Sequence, residues 1–185
     1  MTEGSEIFDG APTSRYHAAL RAMHWVTAGV ILAAIALGLY CANLGRGSAE
    51  RQFLMDIHKS LGMTALVLIV VRIPLRAFLG HPAWRRAPPR IEQLAAHIGH
   101  SALYLLMVLM PLSGYVTSAS EGRSIRWFWL FSWPNVMAEN RPLGRALGTV
   151  HQYGAYIFVA LLSLHLTAVL WHCFIRHDDT LERML

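Results

Sequence analysis

Hydrophobic residues run without a charged interruption over 22–45, 94–120 and 146–175, each long enough for the ~20 residues that a membrane-spanning helix needs. A fourth run, 60–71, is shorter, and it reaches spanning length if Lys59, Arg72 and Arg76 keep their aliphatic stems in the apolar layer and extend their charges to its two edges. The pattern predicts an all-α integral membrane protein, an up-and-down bundle of four helices. Residues 1–14 read as a polar tail, 15–177 as the transmembrane domain and 178–185 as a second polar tail. The run after Arg15 and Arg21 is too long for a cleavable leader and lacks a small-residue cleavage pattern, so the first span is expected to stay.

Composition agrees with the pattern: 55% of residues are hydrophobic, 15% are charged, and the mean hydropathy is +0.38. The linker over 72–90 holds Arg72, Arg76, Arg85, Arg86 and Arg90 with no acid, and Arg15 and Arg21 lie on the same side. That bias predicts both termini in the cytoplasm of a bacterial inner-membrane protein. The pI near 9.7 does not indicate nucleic acid, because the cations flank apolar spans; membrane lipid headgroups are the expected partner. Cys41 and Cys173 fall at opposite ends of the bundle, outside any Cys-x-x-Cys-His motif, so neither an intrachain disulfide nor covalent haem attachment is expected.

Histidine is what the hydrophobic pattern leaves unexplained. An imidazole in hydrocarbon costs free energy unless its nitrogens are satisfied, and the apolar stretches carry His24, His58, His97, His100, His151, His165 and His172. His151 and His165 return to one helix face about 21 Å apart along the axis. Their depths sort the histidines into two levels, His58 with His151 near the outer surface and His24 with His165 toward the inner one, with His100 as a rival to His24.

Two facing imidazoles fill both axial positions of a haem iron, so the constellation predicts two haem b groups with these four histidines as iron ligands. With no vacant iron position, the expected chemistry is outer-sphere electron transfer. Zinc fits worse, because it needs three or four ligands at one point. Arg21, Lys59 and Arg72 are placed to pair with haem propionates. His97 and His100 are read as propionate contacts, as a proton-handling pair beside a quinone, or as plain interface residues. Gly62, one turn after His58, leaves room either for a flat macrocycle or for close helix packing. The aromatic stretch 125–133 is expected to lie in the outer interface as a short amphipathic element.

The chain also resembles the bacterial cytochrome b561 group of four-helix dihaem membrane cytochromes. The resemblance is carried, in order, by Arg21-Ala-Met-His24-Trp25, Ile57-His58-Lys-Ser-Leu-Gly62 and Leu-Ile-Val-Val-Arg72, then Ala96-His-Ile-Gly-His100 with Tyr104. It continues through Leu-Met-Pro111-Leu-Ser-Gly114-Tyr, Val150-His151 with Gly154, and His165 through Trp171-His172 to the acidic tail with Asp178, Asp179 and Glu182. It implies His24, His58, His151 and His165 as haem ligands, quinone as redox partner, and superoxide as a donor that Arg123, Arg126, Arg141 and Arg145 would steer, which would make the chain a superoxide–quinone oxidoreductase of the respiratory membrane. Cytochrome b subunits of hydrogenases and formate dehydrogenases share this plan, and their reading adds a periplasmic redox partner. A histidine-based proton-coupled transporter is the reading from another class.

Overall fold

The computed structural model describes residues 15–82 and 88–185; the predicted tail 1–14 and the linker arginines Arg85 and Arg86 lie outside the described residues. Four long helices appear where the hydrophobic pattern puts them: α1 Ala18–Ala42, α2 Ala49–Leu79, α3 Arg90–Ser120 and α4 Arg141–Trp171. All four are long and apolar enough to cross a membrane, as in a multi-pass membrane protein. Local chemistry sets their ends. Ser48 caps α2 by accepting from the Arg51 amide, and Gly80 closes it with φ 68°. Asn140 caps α4 from the Leu143 amide with a proline in the first turn, so this helix starts at Arg141, ahead of the uncharged run.

Helix 1 packs on helix 2, helix 2 on helix 3, and helix 3 on helix 4. Each helix contributes one residue to the central apolar layer: Ile31, Ala65, Leu103 and Phe158. Phe158 stands seven positions from both His151 and His165, about 10 Å along the axis from each, so the layer separates the two histidine levels. Large apolar side chains such as Val70, Ile98, Leu105, Ile157 and Leu164 are exposed around the bundle, the expected inversion where lipid is the solvent. A Cβ added at Gly62 would lie 4.0 Å from Pro111, in ordinary contact, so this glycine faces α3 rather than the histidines.

The aromatic stretch after α3, expected as a short amphipathic element, is a hairpin. Strand β1 (Arg126–Trp127) pairs antiparallel with β2 (Phe131–Ser132), and the turn puts Phe128 and Trp129 at φ 43° and 62°. Such bulky left-handed residues cost about 1–3 kcal/mol each, and α2 holds them in place. Its successive turns offer Asp56 to Arg126 at 3.0 Å, the Ser60 hydroxyl to the Phe128 amide at 2.9 Å, and the Thr64 hydroxyl to the Trp127 indole N–H at 3.0 Å. The hairpin therefore lies along one face of α2.

The opposite end of the bundle is tied by the last residues of the chain. After α4, a π-helical turn (His172–Arg176) and a left-handed His177 reverse the direction. The tail then accepts hydrogen bonds from the Tyr16 amide at Arg183 O (3.0 Å), from the Trp25 indole at Met184 O (2.8 Å) and from Arg21 at Leu185 O. Arg183 itself donates to Pro82 O at 2.7 Å. The start of α1 and the last residues of the chain are thus at one end of the bundle, and the predicted polar tail 178–185 is a clasp.

Two outcomes follow. Phe158→Ala removes the largest member of the central layer and should destabilise the bundle by about 3–5 kcal/mol, read as an earlier thermal unfolding in detergent. The reversal is held by Asp178, which contacts His172 Nδ1 at 2.6 Å and accepts from the Thr180 amide at 3.0 Å. Partial burial pushes the Asp178 carboxyl up, but the bonds from Thr180 and His172 outweigh it and leave the carboxyl below its usual 3.8. A depressed carboxyl stabilises above its unfolded value and stops doing so as pH falls through the folded one. A spin label at the exposed Glu182 should therefore be immobile at neutral pH, gain mobility as pH falls below the usual carboxyl value of 3.8, and be mobile throughout in Asp178→Asn.

Candidate functional site

At the hairpin end, α2 and α4 bring His58 and His151 together with ring centroids 6.2 Å apart and planes at 90°. An ion shared by two imidazoles separates their centroids by about 6 Å, from two metal–nitrogen bonds of about 2 Å and about 1 Å within each ring. The surroundings also fix which nitrogen is available. His58 Nδ1 lies 2.8 Å from the Ala34 carbonyl, and His151 Nδ1 lies 3.0 Å from the Met110 carbonyl. A carbonyl only accepts, so each Nδ1 carries the proton and each Nε2 keeps a free lone pair, the arrangement of a metal-ligating histidine.

Both rings rest on the same backbone device. Ala34 stands four residues before Gly38 on α1, and Met110 stands four residues before Gly114 on α3. In a helix a carbonyl receives the amide four residues on, and its second lone pair is free for the imidazole if nothing projects over it. A Cβ at Gly38 would sit 2.9 Å from His58 Cε1, and one at Gly114 would sit 3.1 Å from His151 Cε1. These glycines let the rings reach the carbonyls. Helices α2 and α4 supply the imidazoles, and α1 and α3 supply their supports.

The other level is built differently. His165 of α4 faces His100 of α3, with centroids 5.7 Å apart at 64°, and both lie within electrostatic range of His24 of α1. Arg72 of α2 approaches His24 Nδ1 at 3.1 Å. A guanidinium only donates, so the neutral His24 ring holds its proton on Nε2 in this arrangement, opposite to the outer pair. Arg72 is 6% exposed, and its Nε has no hydrogen-bond partner among the described residues. The guanidinium groups of Arg72 and Arg76 flank the Tyr104 ring at 5.9 and 5.4 Å, and Arg76 donates to the Tyr104 hydroxyl at 3.0 Å.

Among the predicted propionate cations, only Arg72 touches a histidine of either level. Arg21 is engaged by the C-terminal clasp. Lys59 is half-buried among Arg123, Asp56, Arg126 and Arg51. His97 is exposed on α3 one turn from His100. Of the predicted steering arginines, Arg123 pairs with Glu121, Arg126 with Asp56 at 3.0 Å and Arg141 with Glu139 at 2.7 Å, which leaves Arg145 with its charge uncompensated by a described ion pair. Ala34 and Gly38, which hold one of the hairpin-end rings, were given no role by the sequence pattern. Met110, Ser113 and Gly114, which hold the other, stood in the Leu-Met-Pro111-Leu-Ser-Gly114-Tyr stretch that carries the resemblance, without an assigned role.

The sequence from residue 15 to 185 matches the family described as prokaryotic cytochrome b561. The chain is 33% identical over 171 residues to cytochrome b561 homolog 2 of Escherichia coli K12, covering 92% of this chain and 91% of that protein. It is 26% identical over 166 residues to cytochrome b561 homolog 1 of the same organism, with 88% and 92% covered. It is also 31% identical over 143 residues to the probable superoxide oxidase CybB of Yersinia pestis, with 76% and 81% covered. Membership implies b-type haem and electron transfer in the membrane, and the histidine levels across four spanning helices agree with it. The chain belongs to the prokaryotic cytochrome b561 family.

Proposed function

We propose that the chain is a dihaem cytochrome that carries electrons across the bacterial inner membrane between a donor at the hairpin end and quinone, with the clasped end in the cytoplasm. The observation that carries this reading is the opposed His58–His151 pair, each ring supported through Nδ1 so that its Nε2 is available to iron. Haem, when bound, supplies reversible one-electron chemistry with no open iron position. The chain's own residues fix the tautomers, separate the two levels by the Phe158 layer and surround them with lipid-facing apolar helices.

His24 and His165 are the ligands at the inner level. His24 is half-buried, whereas His100 is exposed, and Arg72 beside His24 is the buried cation that a propionate requires. A second reading has His100 in place of His24, favoured by the 5.7 Å separation of His100 and His165 and by the proton that Arg72 leaves on His24 Nε2. Superoxide as donor rests on the name of the Yersinia relative and on Arg145, Lys59 and Arg51 at the hairpin end. The subunit of a larger oxidoreductase is the alternative that co-purification with a soluble partner would reveal.

Purified protein should show a bis-imidazole b-type spectrum, reduced minus oxidised, with two haems per chain. A colourless protein, or one haem, would sink the proposal. His58→Ala should keep roughly half of the haem, and Gly38→Leu should do the same by displacing the His58 ring although all four ligand histidines remain in the sequence. His24→Ala and His100→Ala decide the inner pair: only the true ligand's loss removes the second haem.

A further inference from the structure

The two outer imidazoles are not held equally. His58 has one partner for Nδ1, the Ala34 carbonyl. His151 has two, the Met110 carbonyl at 3.0 Å and the Ser113 hydroxyl at 2.9 Å, and Ser113 Oγ in turn donates to the Met110 carbonyl at 2.8 Å. One assignment of hydrogens fits all three contacts, with the Met110 carbonyl, which already receives the Gly114 amide, shared between the serine hydroxyl and the imidazole. The serine hydroxyl gives its proton to the carbonyl, and His151 Nδ1–H is shared between the carbonyl and the serine oxygen. On α1 the residue that stands, like Ser113, one position before the supporting glycine is Leu37, which has no hydroxyl.

We propose that Ser113 is a positioning residue that makes His151 the more electron-rich of the two outer ligands and so lowers the reduction potential of the haem between them. This rests on the haem assignment above. A hydrogen bond accepted from Nδ1–H draws the imidazole toward imidazolate and raises its basicity as a ligand. Because Ser113 also donates onward to the carbonyl, the two bonds polarise each other. A more basic axial ligand favours the ferric over the ferrous state. Ser113 touches neither iron nor substrate in this account and acts only through His151.

The test uses the full-length, haem-loaded protein and a redox titration followed by its visible spectrum, with the electron paramagnetic resonance of the ferric form alongside. Ser113→Ala leaves the Met110 carbonyl in place and introduces the best helix former, so the fold and two haems per chain should remain. One midpoint should rise, by up to about tenfold in the reduction equilibrium for the loss of one net hydrogen bond, with the other midpoint unmoved. The low-spin signal of that same haem should shift. Ser113→Thr keeps the hydroxyl and should restore both. Two haems with unchanged midpoints in Ser113→Ala, or a shift that Thr fails to reverse, would overturn the role of Ser113 and leave the haem assignment standing. Wild-type protein without bis-imidazole haem would overturn both.

Discussion

The site depends on the second lone pair of two helix carbonyls. A histidine inside a bilayer must satisfy the nitrogen that does not bind the metal, because an unpaired polar group in hydrocarbon costs several kcal/mol. Water is absent and side-chain partners are few, so the available acceptors are backbone carbonyls already engaged in helical hydrogen bonds. Ala34 and Met110 accept a second bond only because Gly38 and Gly114 leave room for the ring. The same contact fixes the tautomer and leaves the Nε2 lone pair free, so under the proposed haem ligation one device meets the demand of the solvent and the demand of the chemistry.

Packing then sets the distance between the levels. One residue from each helix, Ile31, Ala65, Leu103 and Phe158, closes the middle of the bundle. Since the exterior is as apolar as this layer, shape and tight helix approach hold the bundle together, as where a Cβ at Gly154 would lie 2.7 Å from Met110 Sδ. Each end has its own closure. A strained hairpin is fastened along α2 through Asp56, Ser60 and Thr64, and at the other end the C-terminal residues reach Tyr16, Trp25 and Pro82.

The four spans and the meeting of His58 with His151 were legible in the sequence, because span length and depth within a helix are one-dimensional quantities. Pairings that depend on rotation between helices were not. Depth alone matched His24 with His165 and kept His100 as a rival, but it could not decide between them or show that Arg72 approaches His24 Nδ1. Gly62 was visible as a glycine near a histidine, yet its face points to α3, while Gly38, unremarkable in an apolar run, faces the imidazole. The form of the aromatic stretch was hidden for another reason: its turn has neither Gly nor Asn, and Phe128 and Trp129 are held there from α2, by the Ser60 hydroxyl on the Phe128 amide and by Phe53 stacked on Trp129 at 5.2 Å. The clasp is invisible because most of its acceptors are backbone carbonyls, which every sequence has.

An experimental structure of the haem-loaded protein, at a resolution that separates the ring nitrogens of His58 and His151, tests the account most directly. It should show iron on Nε2 of both rings, with each Nδ1 still within hydrogen-bond distance of the Ala34 or Met110 carbonyl. Iron bound through Nδ1, or either ring turned away from its carbonyl, would contradict it.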